Sequence, residues 1–322
     1  MHSTSSHFKK ILTTLSLIGL SGSALAALPS TLKLDYAYYA PTSLIVKEQK
    51  LLEKALPKTK IQWVFSQGSN RSLEYLNSGS VDFASTAGLA AVLSRANGSP
   101  IKTIYIQSQP EWTALLVHKD SSIKSVKDLK GKKIAATKGT DPFLFTLQAL
   151  ETVGLNKRDV QLVHLQHPDG KTALERKQVD AWAGLDPLMA SAQVQSGAKL
   201  LYRNVGFNSY SVLSVKEQLS KDSPEAIEAV IKAYEQARKW AKANPDKVAE
   251  LLSKEAKLPL SVAKLQLSRT NFEQNIPNAK HIAALQKAGK ILVEEDLVRK
   301  GTQVNQVVSQ LFDAKFAQKA VK

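Results

Sequence analysis

The chain has 322 residues, 43% hydrophobic and 22% charged, a composition that excludes a disordered or collagen-like polypeptide and allows two lobes with separate cores. It contains no cysteine, which excludes disulfides, thiolate nucleophiles, iron–sulfur clusters and the usual zinc sites. The formal charge of +16 suits nucleic acid, an anionic surface or an anionic small ligand.

Residues 1–26 read as a secretory leader: Lys9 and Lys10, then the apolar run Ile11 to Leu20, then Ala24-Leu25-Ala26 as a small-residue cleavage site. No later apolar run reaches the roughly 20 residues a bilayer span needs, so the mature protein is expected to be exported and soluble. Removing the leader takes the charge from +16 to +14. Export argues against nucleic acid. The lysines, among them Lys124, Lys127, Lys130, Lys132 and Lys133, are spread among apolar and acidic neighbours and read as solvated faces whose summed field draws anions.

Thr31 to Tyr36 alternates apolar and polar residues and is expected to be the first strand. After Tyr38-Tyr39-Ala40-Pro41, helical spacing of Leu44, Ile45, Leu51 and Leu52 places a helix capped by Thr42 or Ser43. Strands at Ile61–Phe65 and Val81–Ala84 run into polar turns, Ser66-Gln67-Gly68-Ser69-Asn70 and Ser85-Thr86-Ala87-Gly88, each followed by a helix. This rhythm is that of α/β proteins with a mostly parallel sheet. Ile101–Ile106 is a further strand, and Ala114–His118 leads away towards a second lobe.

In that second part a capped turn at Ser125–Leu129 precedes a strand at Ile134. The turn Lys138-Gly139-Thr140-Asp141 then opens a helix with Pro142 in its first turn, where a missing N–H costs nothing. Leu73–Ala84 and Thr172–Ala183 share one pattern, a short helix, a turn, Val-Asp and a strand of small residues, as if two related lobes repeat it. Ser209–Val215 returns towards the first lobe. Beyond Pro224 long amphipathic helices take over, with Ile227, Val230, Ile231, Tyr234, Ala237 and Trp240 on one face. They are expected to wrap the outside of the first lobe and add nothing to the cleft.

No G-x-S-x-G elbow, phosphate loop or G-x-G-x-x-G fingerprint is present. His118, His164, His167 and His281 lack the spacing of a metal pair and read as surface or loop residues, so neither metal nor cofactor is expected. The polar turns are more informative. Ser43, Ser69, Asn70, Thr86, Lys138, Thr140 and Asp141 all stand where a strand ends and a helix begins, the place where open α/β sheets bind ligands. Helix N-termini and hydroxyls hold an oxyanion without a buried cation. Trp112 and Trp182 each stand at a strand end, suited equally to a core or to a cleft that receives an organic tail.

Gly68-Ser69-Asn70, Gly79-Ser80-Val81-Asp82-Phe83, the stretch Ile123 to Ala135, Lys138-Gly139-Thr140-Asp141-Pro142 and Val179 to Pro187 together resemble the periplasmic binding proteins of ABC importers. The Lys138–Pro142 and Asp180–Pro187 stretches narrow the resemblance to the aliphatic sulfonate group, with taurine and nitrate binders as relatives. The resemblance implies a two-lobed clamshell of the type II kind, each lobe a mostly parallel sheet flanked by helices. Residues 27–113 with 214–322 would form one lobe and 114–213 the other. It implies a periplasmic monomer, not an enzyme, that binds a sulfonate-type ligand and hands it to a permease and its ATPase. Carried over by position, the ligand contacts are Ser43, Ser69, Asn70, Thr86 and Ala87 from one lobe, and Gly139, Thr140, Asp141, Trp182 and Asp186 from the other, with Trp112 at the crossing. Asp141, awkward beside an anion, is expected chiefly to cap its own helix. A nitrate or nitrogenous-compound binder of the same fold is the alternative. A pyrimidine-synthase-like enzyme resembles proteins with a cysteine-rich iron motif, which this chain lacks.

Overall fold

The structure, a computed structural model, describes His2 and residues 28–322, so the leader expected over 1–26 lies, His2 apart, outside the described residues. Strands form where small and β-branched residues alternate or run together. The first part of the chain supplies β1 (Thr31–Tyr36), β2 (Lys60–Phe65), β3 (Phe83–Ala87) and β4 (Ile101–Pro110). A second sheet takes β5 (Leu115–Val117), β6 (Lys133–Ala135), β7 (Gln161–Val163), β8 (Ala181–Ala183) and β9 (Lys199–Tyr202). The strands β10 (Ser211–Lys216) and β11 (Thr270–Asn271) rejoin the first. The orders are β11-β4-β10-β3-β1-β2 and β7-β6-β8-β5-β9. In each sheet three strands run parallel, β2-β1-β3 and β7-β6-β8. The antiparallel members are β10 and β11 in the first sheet and β5 in the second, and β10 and β5 are the strands through which the chain enters each sheet after crossing between lobes. Because β10 joins the first sheet from Ser211, the expected lobe boundary at 214 falls inside that strand.

Helices flank both sheets. The first lobe carries α1 (Pro41–Glu48), α2 (Leu51–Ala55), α3 (Ser69–Ser78) and α4 (Gly88–Ala96); the second carries α5 (Asp141–Glu151), α6 (His167–Glu175) and α7 (Leu188–Ser196). After β10 come α8 (Glu217–Asp222), α9 (Pro224–Ala243), α10 (Pro245–Ala256), α11 (Leu260–Leu267), α12 (Ala279–Ala288), α13 (Lys290–Glu294), α14 (Val304–Leu311) and α15 (Lys315–Ala320). Among the described residues no helix is long and apolar enough to cross a membrane. The apolar stripe of α9, Ile227, Val230, Ile231, Tyr234 and Ala237, is buried against Leu32, Leu34, Tyr105 and Leu213. The tail does more than wrap the first lobe. Its α11 packs on α7 and its α13 on α5, both helices of the second lobe.

The repeated Val-Asp pattern has one physical basis in both lobes. Asp82 Oδ2 accepts the Lys33 N–H at 2.8 Å while the Asp82 N–H reaches Lys33 O at 2.7 Å. Asp180 does the same with Lys133, at 2.8 and 2.9 Å. Each aspartate thereby sets the register of the strand it precedes against its parallel neighbour. The turn before it needs positive φ, supplied by Gly79 (79°) in one lobe and by Lys177 (57°) in the other.

Candidate functional site between the lobes

The carboxyl ends of the parallel strands in the two sheets face one another, and the helices that follow start there. In the first lobe α3 begins at Ser69 after an extended Gly68 and receives no side-chain cap. Its first turn is fixed from below by Asp35, a fully buried carboxylate. Asp35 Oδ2 accepts the hydroxyls of Ser66 (2.7 Å) and Ser72 (2.6 Å), and Oδ1 accepts the Ser85 N–H (2.6 Å), so one side chain ties β1, the turn after β2, α3 and β3. Burial pushes its carboxyl up to about 6, against the pull of these donors.

In the second lobe the turn after β6 needs Gly139 at φ 78°. Thr140 Oγ1 donates to Thr137 O at 2.6 Å and closes the turn, and α5 follows, again without a side-chain cap. The first-turn N–H groups of α3 and α5 are therefore the unpaired donors that every helix start leaves. Gly139 and Asn70 are neighbours across the lobes, since a carbon added at Gly139 would lie 3.8 Å from Asn70 Cβ. Asn70 Nδ2 is 3.5 Å from Gln166 Oε1. Beside this contact a groove of about 430 Å³ runs between the lobes, lined by Asn70, Glu74, Asn77, Lys138, His164 and Gln166 among others.

His167 stands at the centre of the contact and is not the surface or loop residue expected. It opens α6, is fully buried, and its ring lies directly against Gly68 of the other lobe. Its Nδ1 is 3.1 Å from Thr137 Oγ1, which in turn donates to Leu165 O at 2.7 Å. Burial pushes the imidazole down to about 3, so it stays neutral.

The remaining expected contacts divide into those the structure gathers here and those it employs elsewhere. Ser69 Oγ accepts the Ala87 N–H at 2.8 Å, which pairs that backbone donor and does not use the Ser69 hydroxyl proton. The next N–H groups of α4 are taken by the second crossing: Gly88 by Tyr210 O at 2.8 Å and Leu89 by Ser209 Oγ at 3.1 Å. Thr86 turns inward, 3.4 Å from Ser214 Oγ on β10. Ser43 is not the cap of α1, which starts earlier, at Pro41; its hydroxyl donates to Ala40 O at 2.7 Å and accepts the Ala37 N–H at 3.1 Å, closing the loop before the helix.

Asp141 does not cap its own helix. Its Oδ2 accepts Trp112 Nε1–H (3.1 Å) from the first crossing and both the N–H (3.0 Å) and hydroxyl (2.7 Å) of Ser209 from the second. It is thus a clasp between the hinge segments, and burial pushes its carboxyl up to about 6. Trp112 packs edge-on to Tyr39 of the first lobe at 5.8 Å. Trp182 lies in the interior of the second lobe, among Leu116, Leu174 and Met189, where Gly170 makes room for its indole. Asp186 is buried too. Its Oδ1 accepts the Ala190 N–H (2.8 Å) and its Oδ2 pairs with Arg269 of the C-terminal tail (3.3 Å), an ionic tie between tail and second lobe. Burial raises its carboxyl to about 6 while Arg269 pulls it down.

The sequence reading named Gly68 only as part of a turn and His167 only as a surface or loop residue, and gave Gln166, Ser209 and Arg269 no role at the site. The one signal available was His167-Pro168, a histidine placed to open a helix beside a proline.

Residues 60–248 match the family described as NMT1/THI5 like. A protein of Escherichia coli (strain K12) named as an aliphatic sulfonates-binding protein is 29% identical over 91% of this chain and 94% of its own length. One of the same name from Bacillus subtilis (strain 168) is 30% identical over 84% of this chain and 82% of its own. Among solved structures, the alkanesulfonate-binding protein of Xanthomonas axonopodis pv. citri, bound to MOPS, superposes with a TM-score of 0.82 at 25% identity, covering 89% of this chain and 99% of that one. The chain therefore belongs to the NMT1/THI5-like family and has the fold of a two-lobed periplasmic binding protein.

Proposed function

We propose that the protein is the periplasmic solute-binding component of an ABC importer, exported by the leader at 1–26. In this reading it captures aliphatic sulfonates, or a related organosulfur oxyanion such as a sulfate ester, between its lobes and delivers them to a membrane permease. The observation that carries the reading is the meeting of two uncapped helix starts, α3 from one lobe and α5 from the other, across a contact whose flanking cations, Arg71 and Lys138, are exposed. A sulfonate is a strong acid whose oxygens only accept hydrogen bonds, so neutral N–H donors suit it without the cost of burying a counter-charge. The relatives' names point the same way. We read the protein as a binder and not a catalyst, because the relatives carry the names of binding proteins and Asp141, a buried acid at the turn, uses Oδ2 to hold Trp112 and Ser209 together.

The test is thermal shift and calorimetry of the mature protein against alkanesulfonates, taurine, sulfate esters, sulfate and nitrate. An alkanesulfonate at a hundred times its Kd is expected to stabilise the fold by about 2.7 kcal/mol. If nitrate alone shifts the midpoint, the sulfonate assignment is wrong.

Within the turn, Thr140→Ala opens the hydrogen bond to Thr137 O and is expected to weaken sulfonate binding about tenfold. Lys138→Ala is expected to change Kd by less than about threefold and to slow association chiefly at low salt. Stopped-flow rates at two ionic strengths separate the two. The reverse order of effects would make the turn a charge-driven patch.

A further inference from the structure

His167 from the second lobe and Asn70 from the first meet with unpartnered polar atoms turned to one place. A carbon added at Gly68 would lie 2.7 Å from His167 Nε2 and 3.1 Å from Asn70 Oδ1, so both atoms flank the N-cap of α3. Both atoms are buried and neither has a hydrogen-bond partner. Leaving two such atoms unpaired side by side is costly unless something pairs with them. The first residue of α6 and the N-cap of α3 adjoin there, so the partial positive charges of two helix starts face the same place.

Both side chains can present a donor. A half-turn of the Asn70 amide exchanges its oxygen for its NH2, and the same half-turn of Gln166 keeps a donor against an acceptor between the two. A neutral imidazole carries one proton on either nitrogen, and the partner of the other nitrogen selects which. Thr137 is that selector. While its hydroxyl proton goes to Leu165 O, Thr137 Oγ1 can only accept from His167, which puts the imidazole proton on Nδ1 and leaves Nε2 bare. Turned towards Nδ1, the same hydroxyl donates to the ring, and the proton moves to Nε2.

We propose that His167 and Asn70 are the side-chain donors to the oxyanion head of the ligand, one from each lobe, with the Thr137 hydroxyl turning from Leu165 to Nδ1 so that His167 offers an Nε2–H. This rests on the reading of the ligand as an oxyanion. It makes His167 a specificity residue that binds an anion while uncharged.

The experiment is nitrogen-15 NMR of the histidine-labelled full protein with an alkanesulfonate, beside calorimetry of His167→Phe and Asn70→Ala. On ligand addition the His167 Nε2 signal is expected to move from the unprotonated to the protonated range while Nδ1 moves the opposite way. Each variant is expected to lose about ten- to a hundredfold in affinity. Sulfonate binding by the wild type with silent His167 signals overturns this inference and leaves the sulfonate reading standing; so does an unchanged affinity of His167→Phe. Failure of every sulfonate to bind the wild type overturns both. The NMR arm needs no variant to fold.

Discussion

Gly68→Ala is expected to lower ligand affinity about ten- to a hundredfold while leaving the unfolding midpoint of the free protein nearly unchanged. Gly68 sits at φ −178°, ψ 166°, extended backbone that alanine adopts without strain, and the first-lobe atom nearest the new methyl, Asn70 Oδ1 at 3.1 Å, is the end of a side chain that can shift by the few tenths of an ångström needed. The obstacle is in the other lobe. The new methyl would stand 2.7 Å from His167 Nε2 and 2.9 Å from its Cδ2, closer than carbon approaches ring atoms. The imidazole has little freedom to yield, being buried and held at Nδ1 by Thr137. Overpacking of this kind costs about 1–3 kcal/mol, but here the lobes can escape it by separating. The cost then falls on the closed form alone, and apparent affinity drops by the fraction of closed form lost. Solution scattering with saturating sulfonate should show the wild type contracting and Gly68→Ala failing to contract. Adding His167→Ala removes the obstacle and should restore contraction, although the donor is gone. Full affinity in Gly68→Ala would mean that the Gly68–His167 contact plays no part in closure.

That contact also marks where sequence reading stops. The alternation of Thr31–Tyr36, the hydroxyl-rich turn after β2 and the glycine turn before α5 are local patterns, and each produced the element expected of it, whereas Ser85-Thr86-Ala87, expected as a turn, completes β3 and runs straight into α4. The two Val-Asp units were legible because each aspartate acts on the strand beside its own, and the lobes repeat the device. Hydroxyl-rich turns, by contrast, do not say whether a hydroxyl is free. The Ser69 oxygen takes the Ala87 N–H, and the Ser43 hydroxyl is spent on its own loop, pairings set by how the strands pack and not by any period. Trp182 stands at a strand end like a cleft residue, yet Gly170 on α6 leaves the space that takes its ring inside. His167 against Gly68 and Asp141 with Ser209 join residues from different elements, and only the assembled lobes bring them together.

The Asp141 clasp carries the largest expected effect on stability. Asp141→Ala strands three buried donors at once, Trp112 Nε1–H and the N–H and hydroxyl of Ser209. At about 1–3 kcal/mol for each unsatisfied group, partly relieved by water, the loss is expected to be about 3–5 kcal/mol. Because Trp112 and Ser209 lie on the two crossings, the damage falls on the hinge, and sulfonate affinity should fall with it. Asp141→Asn keeps an oxygen for those donors but sets its NH2 where the buried Oδ1 has no partner, and is expected to cost about 1–2 kcal/mol at pH 7.5. The comparison has a definite sign with pH. Burial raises the Asp141 carboxyl from 3.8 to about 6, so between these values the folded state holds the proton more tightly than the unfolded chain. Stability from this group therefore rises as pH falls from about 6 towards 4, by at most about 3 kcal/mol. Asparagine has no such proton, while Asp35, Asp186 and His167 titrate alike in both proteins and cancel. The wild type should accordingly gain on Asp141→Asn when thermal unfolding is compared at pH 7.5 and pH 4.5. A gap that stays constant with pH, or an alanine variant no less stable than the asparagine one, would show that Asp141 is not holding the crossings together.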